Sequence, residues 1–152
     1  MSEQARDAVA SITIAAPHEK VWEALTDPAL IEQYFLGTKV TTTWQVGDPI
    51  TYAGEYNGKP YHDTGTILAF DPPKLLRTTH YSPSSGLPDI PENHHTVEYS
   101  VTEHPAGAQD FGLTTVTITQ GNNSSQQEVE QSTATWQLVL QNLKEFLETR
   151  IS

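Results

Sequence analysis

Three residues of this chain have side chains suited to hydrogen bonding or proton transfer inside an apolar pocket: His80, Tyr99 and Gln120. If the segments that contain them are strands, side-chain alternation directs all three to one interior. A few polar groups that converge in an apolar pocket orient a bound molecule. Histidine changes protonation between about pH 5 and 8, so His80 would bind a ligand carbonyl or act as a general base. The alternative is that neighbours or water satisfy all three polar groups.

Catalysis by these residues would take one specific form. His80 and Tyr99 would handle protons on a bound carbonyl compound, as in a cyclase or dehydratase. The nearby carboxylates are Glu55, Asp63 and Glu98, and alternation turns Glu55 and Glu98 outward. The sequence has no nucleophile motif and no Gly-rich phosphate loop. We therefore favour binding without turnover and leave enzyme activity as the alternative.

The histidine pairs do not predict a metal site. His62 precedes an aspartate and His94 precedes His95, but no His-x-His or His-x3-His spacing accompanies them. The chain has no cysteine, which excludes disulfides, Cys-based zinc sites and thiol catalysis. We expect no metal and no cofactor.

A long C-terminal helix, Gln126 to Ile151, would position these groups. Its apolar residues recur every three or four positions, which is the spacing of one helical face: Val129, Thr133, Trp136, Leu140, Leu143, Leu147 and Ile151. Ser125 and Glu128 form a Ser-x-x-Glu capping box ahead of this stripe. Such a helix needs a broad apolar surface to lie on, so the remaining chain should form a sheet curved around it.

The pattern of the remaining sequence predicts one strand, two short helices and six further strands. Periodicity and turn residues place them as follows: strand Val9 to Ala15, helices His18 to Thr26 and Ala29 to Phe35, then strands Thr38 to Trp44, Ile50 to Tyr56, Tyr61 to Phe70, Leu75 to Tyr81, Thr96 to Glu103 and Leu113 to Gln120. Asn57-Gly58 predicts a tight hairpin turn. The short turns favour antiparallel neighbours. Ser82 to His94 is the long loop.

Composition limits the function classes. The 152 residues predict a single domain over 1–152, and nineteen acids against eight bases give a net charge of −11. This charge argues against nucleic acid and anionic membrane surfaces. No apolar run is long enough to enter a membrane as a span, and the polar N-terminus is not a signal peptide. We expect a cytoplasmic protein, and we leave open whether it forms a homodimer.

The ordered set of sequence pieces resembles the START-like (SRPBCC) helix-grip superfamily, in the branch homologous to the ATPase activator of heat-shock protein 90. The pieces that carry the resemblance are Pro17 to Pro28, Tyr34-Phe35, Gly47-Asp48, Gly65 to Leu75, and Trp136 with Leu140 and Leu143. The resemblance implies an α+β fold in which a seven-stranded antiparallel sheet curves around the C-terminal helix. Two short helices would stand between strands 1 and 2.

The resemblance also implies an apolar cavity between the helix and the sheet. Members of the superfamily bind lipids, polyketides or hormones there, some cyclise or dehydrate them, and one eukaryotic branch stimulates the chaperone. We therefore expect a small hydrophobic or amphipathic ligand, with a cyclase or dehydratase, or a stress-response modulator of a chaperone, as alternatives. The candidate cavity residues are Tyr34, Phe35, Tyr52, Tyr56, Thr78, His80, Tyr99, Gln120, Thr133, Trp136 and Leu140.

The two halves of the last helix differ in polarity. Small polar residues surround Trp136, whereas the later half is apolar. We expect the C-terminal half to anchor the fold and the N-terminal half, about Val129 to Leu140, to roof the cavity. On this view Leu143 contributes to stability and Thr133 to binding.

Overall fold

A computed structural model describes residues 7–56, 58–104 and 112–151. In that part of the chain there are three α-helices and seven β-strands. In chain order they are β1 (Ala8–Ile14), α1 (His18–Thr26), α2 (Pro28–Tyr34), β2 (Lys39–Thr42), β3 (Pro49–Tyr56), β4 (Lys59–Asp71), β5 (Leu75–His80), β6 (His95–His104), β7 (Leu113–Gly121) and α3 (Gln126–Ile151).

The strands form one antiparallel sheet in the order β1-β7-β6-β5-β4-β3-β2. Helix α3 packs against β1 and β7, and α1 and α2 pack against one another near β2 and β6. The α+β helix-grip fold class is therefore confirmed, including the two short helices between the first two strands. None of the helices in the described ranges is both long and apolar enough to cross a membrane.

The core lies under the C-terminal half of α3. Val139, Leu140, Leu143 and Leu147 are buried there, together with inward residues of the sheet such as Ile118. These positions follow the three-and-four spacing of the sequence stripe, because burial of one helical face requires that period. Burying each such side chain contributes about 1.5–3 kcal/mol to the hydrophobic stabilisation of the fold.

Polar side chains of α3 cover the free edge of β1. Gln137 accepts a hydrogen bond from the Ser11 amide at 3.1 Å, and Glu148 accepts one from the Ala15 amide at 2.9 Å. The Lys144 ammonium donates to the Thr13 carbonyl at 3.1 Å. Edge strands expose unpaired backbone groups that invite association, so these contacts both fix the helix and protect the edge.

Several element boundaries differ from the sequence prediction for local reasons. Helix α2 begins at Pro28 because the Asp27 carboxylate accepts the Ala29 amide at 3.0 Å and caps it. Strand β2 ends at Thr42, and Trp44 adopts a positive φ of 62° that interrupts the extended backbone. The long loop contains two single-turn 3₁₀ helices, Pro83–Ser85 and Pro91–Asn93.

Candidate ligand-binding site

A pocket of about 750 Å³ opens between the N-terminal half of α3 and the sheet. Its walls come from the end of α2, from strands β3 to β7 and from α3. They combine aromatic rings with polar and ionisable groups. The lining residues are Phe35, Leu36, Thr38, Tyr52, Lys59, Pro60, Tyr61, Asp63, His80, Ser82, Val97, Tyr99, Gln120, Glu128, Gln131, Ser132, Thr135 and Trp136.

Six of the candidate cavity residues line this pocket. They come from α2's C-terminal cap, four different strands and α3, and were brought together only by the fold: Phe35, Tyr52, His80, Tyr99, Gln120 and Trp136. Alternation along the strands accounts for this convergence, since each strand residue belongs to the inward-facing set of its strand.

The structure places four other candidates away from the pocket. The buried Tyr34 hydroxyl donates to the Ala24 carbonyl at 2.9 Å and so ties α2 to α1. Thr78 and Leu140 are 0% exposed and lie in the core. The Thr133 hydroxyl donates to the Val129 carbonyl at 2.7 Å, which turns it back onto its own helix. The side chain of Tyr56, the remaining candidate, lies outside the described residues.

A second void of about 30 Å³ lies among apolar residues of the core, where Tyr34 and Leu140 are among its walls. Phe35, Tyr52 and Tyr99 border both this void and the larger pocket. These three aromatic rings therefore form the partition between the pocket and the packed core.

Gln120 holds the indole of Trp136 in the pocket wall. Its side-chain oxygen accepts the Trp136 Nε1–H at 2.8 Å, and its amide nitrogen donates to Asn123 Oδ1 at 2.9 Å and Ser132 Oγ at 3.0 Å. The two donor hydrogens of the amide are thus used within the protein. Gln120 positions the wall rather than presenting free donors to a ligand.

The Trp136 ring stands edge-on to two other rings of the wall. Its centroid lies 5.7 Å from that of Phe35 and 5.9 Å from that of Tyr99, with interplanar angles of 88° in both pairs. Edge-to-face pairs of this kind stabilise an aromatic cluster beyond simple area burial. The result is a rigid apolar surface at the inner end of the pocket.

Asp63 and His80 form a hydrogen-bonded pair at another part of the wall. His80 Nε2 lies 3.0 Å from Asp63 Oδ2. Because a carboxylate can only accept, Nε2 carries the proton, and a neutral His80 has its lone pair on Nδ1. The side chain of His80 is 30% exposed and that of Asp63 is 15% exposed, so the imidazole is the more accessible member.

Gly65 allows β4 to approach β5 closely beside this pair. A methyl group at Gly65 would overlap the carbonyl oxygen of Thr79, so only glycine fits at this point of the sheet. The close approach brings the strand that carries Asp63 up to the strand that carries His80.

The ring next to His80 belongs to Tyr52, not to Tyr99. The Tyr52 and His80 centroids are 5.6 Å apart, and Tyr52 pairs with Asp63 across the β3–β4 hairpin. His80 pairs with His95 and Leu76 pairs with Tyr99, so Tyr99 lies four residues further along β6. The structure thus separates the predicted His80 and Tyr99 pair along the sheet.

The buried phenols remain protonated near neutral pH. Burial raises the pKa of Tyr52 to about 12 and the pKa of Tyr99 well above its ordinary value. Neither phenol is therefore a base near neutrality, and both can act as hydrogen-bond donors.

Glu128 and His95 form a second pair beside the pocket. His95 Nε2 lies 3.0 Å from Glu128 Oε2, and of the two residues only Glu128 lines the pocket. The other Glu128 oxygen accepts the Ser124 amide, and Ser125 Oγ accepts the Glu128 amide at 3.1 Å. The predicted capping interaction is present, but Glu128 reaches Ser124 rather than Ser125. Burial raises the pKa of Glu128, but these hydrogen bonds and the nearby His95 outweigh it and lower the pKa below its ordinary value.

The remaining histidines do not gather into a metal site. His94 Nε2 pairs with Asp89 at 2.6 Å and its ring stacks on Tyr81, whereas His62 is exposed. Within residues 7–56, 58–104 and 112–151, no three metal-ligating side chains come together.

Sequence reasoning missed the roles of Asp63 and of the polar residues of α3 that line the pocket, which are Glu128, Gln131, Ser132 and Thr135. One signal was available for Asp63. The Asn57-Gly58 turn predicted from the sequence would pair Tyr56 with Lys59, although Asn57 lies outside the described residues. Counting back along both strands then pairs Tyr52 with Asp63, as the strand register shows. The contact between Asp63 and His80 also depends on an irregular register between β4 and β5, which alternation alone does not give.

An antiparallel sheet gripping a C-terminal helix, with a pocket between them, defines the helix-grip class of START-like proteins. Within that class, the model of the family described as activator of Hsp90 ATPase homolog 1-like protein matches residues 15–148, and the chain belongs to this family. No curated protein matches the chain.

Solved structures share the fold over most of the chain. The solution structure of ChR145 from Cytophaga hutchinsonii is 40% identical, with a TM-score of 0.80 and 99% of each chain covered. CalU16 from Micromonospora echinospora is 21% identical, with a TM-score of 0.69 over 95% of this chain and 78% of that one. DynU16, described as a putative protein in the dynemicin biosynthetic locus, is 23% identical, with a TM-score of 0.75 over 95% of this chain and 48% of that one.

Proposed function

We propose that this protein binds a small hydrophobic or amphipathic molecule in the pocket between α3 and the sheet. The single observation that carries the proposal is the pocket of about 750 Å³ with an aromatic inner wall. Pockets for small ligands in proteins measure roughly 300–1,000 Å³ and combine apolar walls with a few polar groups.

The distribution of polar groups supports an amphipathic ligand. Phe35, Tyr99 and Trp136 form an apolar end, where a ring system or an alkyl chain would bury its surface. Asp63 and His80 lie at another part of the wall and would bind a carbonyl or hydroxyl group of the same ligand.

The rigidity of the wall supports a preformed site. Gln120 fixes the indole of Trp136, and the three rings at the partition rest on the packed core. A ligand would therefore lose little binding free energy to reorganisation of the protein.

Native mass spectrometry and thermal melting with a panel of neutral aromatic and aliphatic amphiphiles test the proposal. We expect one ligand per chain and a rise in the melting temperature. A ligand at a hundred times its dissociation constant stabilises the folded state by about 2.7 kcal/mol.

Two matched double variants locate the binding. Gln131 and Thr135 are exposed residues one helical turn apart that line the pocket, so Gln131→Trp with Thr135→Trp should block it. Glu130 and Ala134 are exposed residues with the same spacing outside the lining, so Glu130→Trp with Ala134→Trp should leave binding intact. Equal binding by both double variants, or no binding of any amphiphile by the native chain, would contradict the proposal.

A further inference from the structure

The two carboxylate–histidine pairs beside the pocket present different groups to it. In the Asp63–His80 pair the imidazole is the more exposed member, with 30% of its side chain accessible against 15% for the carboxylate. In the Glu128–His95 pair only the carboxylate lines the pocket. Among the described residues, His80 is therefore the imidazole that a pocket ligand would meet.

The hydrogen bond to Asp63 fixes which nitrogen of His80 is basic. Nε2 donates to Asp63 Oδ2 at 3.0 Å, which leaves the lone pair on Nδ1. Asp63 Oδ1 is buried and has no hydrogen-bond partner in the part of the chain that the structure describes. A buried carboxylate in this position orients the ring and stabilises the imidazolium that forms when Nδ1 takes a proton.

Titratable groups from four elements lie around His80. Asp63 faces it from β4, Tyr52 from β3 and His95 from β6, and Glu128 of α3 stands behind His95. Tyr52 stays protonated because burial raises its pKa to about 12. The centroids of the two histidine rings are 6.4 Å apart. Asp63 pairs with His80 and Glu128 pairs with His95, so each imidazole has a carboxylate that offsets its positive charge when the ring is protonated.

We propose that Asp63 and His80 form a proton-transfer centre for a carbon acid bound in the pocket, namely a hydrophobic ketone with a C–H bond next to its carbonyl. This inference rests on the proposed binding function and adds a reaction to it. His80 would be the catalytic residue and Asp63 a positioning residue.

The reaction is a redox-neutral isomerisation. His80 Nδ1 takes the proton from the carbon next to the carbonyl, the electron pair of the broken C–H bond forms a C=C bond, and the carbonyl π pair moves to oxygen. In a β,γ-unsaturated ketone the resulting dienolate takes the same proton back from the imidazolium at its far carbon. The double bond moves into conjugation with the carbonyl, and no oxidant or co-reactant is consumed.

The compound 5-nitrobenzisoxazole tests for a base of this kind. Removal of its C3 proton breaks the ring N–O bond and releases a coloured phenolate, so the rate can be followed by absorbance. We expect saturable turnover of this compound by the native chain. His80→Asn should lower kcat by roughly 10²-fold or more, the usual effect of removing a general base.

Three further variants separate the possible causes. Asp63→Asn should lower kcat with KM unchanged, because a neutral amide does not stabilise the imidazolium as the carboxylate does. His94→Asn is the matched control, since His94 also pairs with an aspartate but lies outside the pocket lining, and it should keep the native rate. Gln131→Trp with Thr135→Trp should abolish turnover by blocking the pocket.

Binding of the same compound is measured separately through the NMR signal of the Trp136 indole N–H in the His80→Asn variant. Binding with turnover that His80→Asn does not reduce would overturn the proton-transfer centre and leave the binding function standing. Turnover that survives in the blocked double variant would also overturn it, because the base would then lie elsewhere. If the compound neither binds nor reacts, both the proton-transfer centre and the binding of this compound class are rejected.

Discussion

The two halves of α3 lie on the same sheet but perform different tasks. From Val139 to Leu147 the inward face is apolar and buried, with Leu140 and Leu143 fully inaccessible. Between Glu128 and Trp136 five residues of the helix border an open pocket of about 750 Å³. The apolar half of the helix therefore fills the core, whereas the polar half borders the pocket.

Polar contacts hold both ends of the helix, but with different partners. Near the C-terminal end, Glu148 binds the Ala15 amide and the Lys144 ammonium, which lies 2.6 Å from it. Near the N-terminal end, Glu128 binds His95 of β6 and the Ser124 amide. These contacts attach the helix to the sheet on both sides of the stretch that borders the pocket.

The largest expected effect is loss of stability from the buried half. Leu143→Ala removes a fully buried side chain and leaves a cavity, so we expect a loss of about 2–5 kcal/mol in the free energy of unfolding. Denaturant unfolding measures this loss. Leu138→Ala is the matched control, because Leu138 is 51% exposed on the same helix and should cost little. Equal losses in the two variants would contradict the division of the helix.

The next largest effect is expected at Trp136, which lies where the pocket-lining half of α3 meets the buried half. Trp136→Phe keeps a ring against Phe35 and Tyr99 but leaves the Gln120 oxygen without its donor. An unsatisfied buried acceptor costs about 1–3 kcal/mol, so stability should fall by less than in Leu143→Ala. Ligand affinity, measured by titration calorimetry, should fall as well. A variant with native stability and weakened affinity would show that the hydrogen bond to Gln120 has no structural role.

Acid should weaken the attachment of both helix ends. The carboxyl groups of Glu128 and Glu148 have pKa values below the ordinary 4.5, the latter because of the Lys144 ammonium and the Ala15 amide. A lowered pKa means that the folded state favours the carboxylate, so its stabilisation is complete above about pH 4.5 and is lost as the pH falls through the folded-state pKa. Glu128→Gln and Glu148→Gln should each reduce the loss of unfolding free energy below this pH. A pH dependence identical to that of the native chain would contradict the assignment.

The smallest effect is expected at Thr133. From the sequence, this residue was a candidate for ligand contact, but its hydroxyl bonds to Val129 within the helix and it does not line the pocket. Thr133→Ala should therefore change unfolding free energy by less than about 1 kcal/mol and leave ligand affinity unchanged. Thermal melting with and without ligand checks both. A marked loss of ligand affinity in Thr133→Ala would contradict this prediction and show that Thr133 contributes to binding.

The fold could be predicted from the sequence because its strands and its long helix have regular patterns of apolar residues. Alternation along the strands and the three-and-four spacing of α3 place Tyr52, His80, Tyr99 and Trp136 toward one interior, and the structure brings them to one pocket. Helical spacing put Thr133 on the inward stripe, whereas in the structure Thr135 lines the pocket and the Thr133 hydroxyl bonds to Val129 of its own helix.

The hydrogen-bond partners of the inward residues were harder to predict from the sequence. The Asp63–His80 contact depends on strand register and on the close approach at Gly65, which involve residues distant in sequence. The hydrogen bond between Gln120 and Trp136 likewise joins a strand to a helix. Periodicity predicts which face a side chain occupies, whereas its hydrogen-bond partner depends on how two elements pack.

The most direct test of a pocket beneath the N-terminal half of α3 is an NMR titration of the tryptophan indole N–H signals with 2-tetralone, a neutral hydrophobic ketone. Trp136 lines the pocket, whereas Trp22 and Trp44 lie outside it and serve as internal controls. We expect a saturable shift of the Trp136 signal, with the Trp22 and Trp44 signals unmoved. An unmoved Trp136 signal, or equal shifts of all three, would contradict a binding site between this half of the helix and the sheet.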